Sequence, residues 1–236
     1  MPLVRKKNNV LVIAAHPDDE ILGCGGTLAK LKKNGFEIHI FFLSDGITAR
    51  YEKKDFNSIK VQKEIKNRNL QAVNALKKIG VKKNNISFGT RDCCRLDQVP
   101  LIDLVKDIEK ELDVVKPKII FTNWHNDLNI DHKITNNALR VAVRPVNKNY
   151  IEEILSFEVL SSTEWNSLDS FNPNYFVDIS NFIDLKCKSF NQYKDEIRKK
   201  PHPRTIENIK ALAKYRGGQS GFNYAEAFFL IKKYIK

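Results

Sequence analysis

Apolar and polar positions alternate along this chain in two periods, and their order predicts a layered α/β fold. Val10-Leu11-Val12-Ile13-Ala14-Ala15 is apolar at every position, the pattern of a strand covered on both faces and hence of a parallel sheet. Gly23-Cys24-Gly25-Gly26 reads as a glycine-rich bend, followed by a helix over Thr27–Asn34 that Gly35 closes. Phe36 to Leu43 then supplies a second strand. This βαβ opening sets the polar segment after Ala15 at the carboxyl end of the first strand, where open parallel sheets bind ligands.

Further along, residues 58–79 form an amphipathic helix pattern with Ile65, Val73, Leu76 and Ile79 on its apolar face. A short strand over 84–88, a helix over 101–115 and a buried strand over 118–122 follow. Strands are expected over 154–160 and 175–179, and helices over 183–197 and 205–215, the last broken by Gly217-Gly218. Ala225 to Ile231 returns as an inward-facing segment. The expected architecture is one Rossmann-like three-layer αβα domain over residues 1–236 with a mostly parallel sheet, its first residues, 1–8, forming a basic segment expected to be flexible.

Composition narrows the setting more than the chemistry. A formal charge of +12 attracts anions at long range but selects none, and the lysines between Lys53 and Lys83 read as solvated helix faces, so no nucleic-acid partner is expected. The four cysteines lack zinc-finger spacing, and Cys93 and Cys94 are adjacent, which favours a reduced, cytoplasmic setting. Met1 to Lys7 is basic, yet the apolar run after it ends in His-Pro-Asp-Asp, so no secretory signal is expected; nor is any stretch long enough to span a bilayer.

The chemistry concentrates at two strand ends. His16 offers a nitrogen and Asp19 an oxygen, and the remote His132 can complete a three-ligand set that leaves a position for water. Asp18 can face that water, while Pro17 stiffens the loop. In the plainer alternative, His16 and Asp19 only close a strand and bind turn amides. The second strong strand, over 118–122, argues against it: that strand delivers Trp124, His125, Asp127, Asp131 and His132 to the same side of the sheet.

Ala15-His16-Pro17-Asp18-Asp19-Glu20, continued by Gly23-Cys24-Gly25-Gly26-Thr27-Leu28, resembles the opening signature of the PIG-L/LmbE-like zinc-dependent N-deacetylases, which act on N-acylated sugars and their conjugates. Ser44-Asp45-Gly46, Asn129-Ile130-Asp131-His132 and Tyr224-Ala225-Glu226-Ala227-Phe228 extend the resemblance over nearly the whole chain. It implies His16, Asp19 and His132 as ligands of one Zn2+ per site, with another divalent transition metal as the alternative, and Asp18 as the base. Asn129 departs from the family's usual histidine: it can donate a hydrogen bond to an oxyanion but cannot act as a general acid. His125, four residues earlier, is expected to enter the pocket in its place, with Asp131, or less favourably Asp127, holding its other ring nitrogen.

The expected reaction is hydrolysis of an N-acyl group, chiefly N-acetyl, from an amino sugar or conjugate, with a phosphorylated or nucleotide-linked sugar compatible with the basic charge. Arg50 is a candidate phosphate or hydroxyl contact, Asp45 its orienting partner or a hydroxyl ligand, Trp124 an apolar wall and Glu226 a hydroxyl ligand or orienting carboxylate. Trp124 equally suits local packing and Arg50 an exposed loop. His39 reads as structural and His202 as part of a rigid helix entrance. The rivals are a metal-dependent hydrolase of another amide or ester and a non-catalytic nucleotide-binding module using the glycine-rich turn. A homo-oligomer is left open.

Overall fold

The computed structural model describes residues 8–145 and 151–235, so the basic segment lies outside the described residues up to position 7. β1 (Asn9–Ala14) is flanked by β2 (Glu37–Ser44) and β4 (Ile119–Asn123), both parallel to it. β3 (Ile86–Arg91) adds parallel to β2, and β5 (Glu153–Phe157) parallel to β4. β7 (Ala225–Lys233) runs antiparallel between β5 and β6 (Tyr175–Asp178), giving the order β3-β2-β1-β4-β5-β7-β6. The chain order reverses on either side of β1, so the loops after β1 and β4 open beside each other.

The apolar run of β1 divides by parity. Val10, Val12 and Ala14 enter one core and Leu11 and Ile13 the other, and all five are fully buried. The first core is roofed by α1 (Asp19–Lys33), α2 (Ile59–Lys78), α5 (Ile183–Phe190) and α6 (Ile206–Ser220); the second by α3 (Leu101–Val115) and α4 (Ile130–Ala142). This is the three-layer arrangement the pattern predicts.

Three helices depart from the sequence reading. The expected bend at Gly23–Gly26 is helix, because α1 starts eight residues earlier than Thr27. Glycine is needed there for contact: a Cβ on Gly23 would overlap the Phe157 ring, and one on Gly26 would stand 2.9 Å from Ile179 Cδ1. Its missing side chains let α1 press onto β5 and the segment after β6. α6 likewise runs through Gly217-Gly218 and stops at Gly221, whose φ of 77° makes it the left-handed terminator. α5 ends at Phe190 instead of Ile197, since Tyr193 and Glu196 turn inward to bind polar groups described below. On α2 the buried stripe is Val61, Arg68, Gln71, Ala72, Ala75 and Leu76, with Ile65 and Val73 only half-buried.

Candidate active site

Pro17 turns the chain out of β1 and Asp18 begins α1 in a conformation that L-residues rarely adopt, φ 132° and ψ −28°. Three contacts hold it: its amide donates to Glu20 Oε2 at 2.9 Å, Leu22 N donates to its carbonyl at 3.0 Å, and Arg68 Nη1 donates to Pro17 O at 3.1 Å. Successive carboxylates meet different partners.

Asp19 turns toward two histidines. Its Oδ2 accepts from His16 N and from Asn123 Nδ2, both at 3.0 Å, and lies 3.5 Å from His16 Nδ1 and 3.3 Å from His132 Nε2. Asn123, the last residue of β4, also accepts Ala15 N through Oδ1 at 2.9 Å and so ties the two strand ends together. One donor atom from each of His16, Asp19 and His132 falls within 4.8 Å of the others, and all three residues are buried. Donors placed at about 2.0–2.2 Å around a tetrahedral zinc would be roughly 3.3–3.6 Å apart, comparable with these separations. Asp19 Oδ1 is buried with no hydrogen-bond partner among the described residues, and neither ring nitrogen of His132 meets hydrogen-bond geometry with the carboxylate beside it; an unpartnered carboxylate oxygen next to His132 Nε2 is how ligand atoms reserved for a cation would stand. The donor set therefore fits a divalent metal.

Each histidine is backed by a carboxylate. His16 Nε2 lies 3.0 Å from Asp131 Oδ2, and His132 Nδ1 lies 3.2 Å from Asp127 Oδ2. Asp127 is itself fixed by Ser162 Oγ, by Thr163 Oγ1 and by Asn129 N at 2.8 Å. Burial opposes charge on His132, yet Asp19 and Asp127 push its pKa up to about 9; burial would likewise raise Asp19, but His132 and His16 hold it well below the usual carboxylate range.

Asp18 meets a different set of partners. Its Oδ2 accepts from Arg204 Nη1 at 2.9 Å and Arg68 Nη1 at 3.4 Å. Glu196, also buried, accepts from Arg204 at 2.8 Å and from Arg68 and Arg50. Burial is the main reason the Asp18 pKa rises to about 6; Arg204 and Arg68 pull it down, while Glu196 and Asp19 add to the rise. Beneath it Glu20, pushed by burial to about 8, accepts the Tyr193 hydroxyl at 2.5 Å.

Several expected site residues stand elsewhere. His125 is exposed and packs against Trp124 and Phe229 on a separate cavity of about 440 Å³, lined also by Asn136, Arg140 and Ile154 and by no member of the cluster. The aromatic neighbours claim its ring, so Asp131 and Asp127 serve His16 and His132 instead. Trp124 is a packing residue between Phe171 and Phe229. Asp45 spends its carboxylate on Ile47 N, Thr48 N and Thr48 Oγ1 within its own turn, and so does not orient Arg50. Arg50 pairs with Glu196. Glu226 accepts from Gly26 N at 2.9 Å, Thr27 N at 2.6 Å and Lys186 Nζ at 2.6 Å, a buried structural knot that also leaves those glycine-stretch amides unavailable to a phosphate. Asn129, by contrast, stays beside the cluster: it caps α4 by accepting Asp131 N at 2.9 Å, and its own backbone N–H donates to Asp127 Oδ1. His202 Nδ1 accepts Arg204 N at 3.1 Å, the local role expected of it.

The sequence reading missed Asn123, Glu20, Arg68, Arg204 and Glu196. Arg68 carried a signal, a charge set in the buried stripe of an amphipathic helix. Arg204 and Glu196 carried none beyond their type.

Residues 11–143 match the family PIG-L, described as GlcNAc-PI de-N-acetylase, over more than half of the chain. The chain belongs to the PIG-L family. Among curated PIG-L relatives, the diacetylchitobiose deacetylase of Thermococcus kodakarensis is 26% identical over 92% of this chain and 80% of its own length. The uncharacterized deacetylase YaiS of Escherichia coli is 27% identical over 80% and 92%. The PIG-L fold extends further: the conserved protein TT1542 from Thermus thermophilus superposes with a TM-score of 0.72 at 24% identity, covering 96% of each chain. This PIG-L chain is an N-deacetylase, and no helix among its described residues is long and apolar enough to cross a membrane.

Proposed function

We propose that this protein hydrolyses the N-acetyl group of an amino sugar or sugar conjugate with one zinc ion per site, releasing acetate and the free amine. The observation that carries the reading is the convergence of His16, Asp19 and His132 donor atoms within 4.8 Å, beside a carboxylate held apart from them. His16, Asp19 and His132 would hold the metal, which supplies Lewis-acid activation of water and of the acyl carbonyl.

The chain's own residues do the rest. With a pKa near 6, Asp18 is a base matched to neutral pH: it accepts the proton of the attacking water and later returns it to the departing amine. Arg204 and Arg68 fix its Oδ2, which leaves its other oxygen for the proton. Asn129 commits its Oδ1 to the helix cap and so has its amide N–H groups to offer the oxygen that gains charge. His16 and His132 keep their orientation through Asp131 and Asp127. A sugar substrate is supported by what the Thermococcus relative is named for, diacetylchitobiose. A net charge of +12 suits a substrate with an anionic substituent.

The test is acetate release from a panel of N-acetylated mono- and disaccharides, phosphorylated sugars and simple N-acetyl amides, with metal content measured alongside. One zinc per chain, activity lost to a chelator and regained with zinc, and preference for sugars over simple amides are expected. Full activity of the metal-free protein, or equal turnover of simple amides, would overturn the reading.

A further inference from the structure

The loop after β3 brings two thiols to the back of the same histidine. Cys93 is buried and Cys94 exposed, and their sulfurs stand 3.8 Å apart. Two thiolates bound at about 2.3 Å to one tetrahedral zinc would be about 3.8 Å apart, whereas a disulfide would need about 2.0 Å. Donor atoms of His16, Cys93, Cys94 and Asp131 lie within 4.8 Å of one another, a set distinct from the His16, Asp19 and His132 group except for the shared histidine.

The loop is built to hold this arrangement. Asp131 accepts Cys94 N at 2.6 Å and Leu96 N at 3.0 Å, Thr48 Oγ1 accepts Cys93 N at 2.7 Å, and Cys94 takes a left-handed φ of 57° that turns adjacent side chains to one side. Neither thiol has a part in the hydrolysis proposed above.

We propose that Cys93 and Cys94, with Asp131 and the Nε2 edge of His16, form a second cation site that takes a soft, thiophilic ion and opposes catalysis when filled. Binding a divalent cation there replaces the two S–H bonds and the His16 Nε2–H bond by bonds to the metal and releases three protons; no oxidant is involved. Because Asp131 is the carboxylate that orients His16, drawing either into the second site loosens a ligand of the first. Only this inhibitory consequence rests on the deacetylase reading.

Cadmium is the probe. Added to the zinc-loaded protein, Cd2+ is expected to produce an ultraviolet thiolate-to-metal absorption band at one further equivalent and to slow turnover. Cys94→Ser, at an exposed position, should weaken that binding by about 10–100-fold or more and relieve the inhibition. Cys93→Ser should do the same, with circular dichroism confirming the fold of both. No band in the unaltered protein, or a Cd2+ affinity undiminished in both variants, overturns the site; a band without slower turnover overturns the sharing of His16 and Asp131. A chain that gives the band yet deacetylates nothing rejects the hydrolytic reading alone.

Discussion

Asp18 and Asp19 are chemically identical neighbours in opposite surroundings. Asp19 sits among imidazoles backed by further carboxylates and is held well below its ordinary pKa; Asp18 sits against a guanidinium and carboxylate cluster, and burial leaves it near 6. A carboxylate that stays charged can bind a cation, and one poised near neutrality can carry a proton. The strained backbone of Asp18, φ 132°, lies at the point where the two sets of partners diverge.

The sharpest way to break this division is to remove one member of each half. His132→Ala should lose stoichiometric zinc and all measurable turnover. Asp18→Asn should keep its metal while kcat falls by about 10²–10⁴-fold. Equal zinc loss in the two variants, measured by elemental analysis, would show that the halves are not separate.

A smaller effect is expected at Asn129, the proposed oxyanion donor. Asn129→Ala should lower kcat about 10²-fold, whereas His125→Ala, remote from the cluster, should leave kcat within a few-fold. This reverses the order that sequence reasoning suggests. Smaller again, Asp127→Asn should weaken zinc binding by about 10–100-fold through His132 while leaving Asp18 untouched.

The two halves also differ in how legible they were. The histidine half is local: His16 and Asp19 span the turn from β1 into α1, Asp127 to His132 the turn from β4 into α4, and each turn follows a strand whose apolar run is unmistakable. Topology alone then joins them. The guanidinium half is assembled from α2, the segment after α5 and the entrance to α6, three pieces whose meeting depends on helix packing that no periodicity encodes. His125 shows the converse error: spacing put it within reach of the pocket, but the aromatic residues around it decided where its ring would lie. The glycine stretch misled for a related reason. Its residues favour a bend in isolation, and only the close approach of Phe157 and Ile179 explains a helix there.

Glu196 offers the gentlest probe of the guanidinium half, through stability instead of turnover. Burial would raise its pKa, but Arg68, Arg204 and Arg50 overcome that and lower it from 4.5 to about 2. A folded-state pKa below the unfolded one means stability that is fully present above pH 4.5 and is lost as pH falls toward about 2. Glu196→Gln keeps the shape and removes the charge, leaving three guanidiniums with only Asp18 to share among Arg68 and Arg204. At neutral pH the variant should be less stable by about 2–4 kcal/mol, and the gap should close as both proteins are titrated from pH 4.5 toward 2. Chemical denaturation at stepped pH measures this. A gap that stays constant across that range would mean that Glu196 contributes packing alone, and that the arginines hold Asp18 without its help.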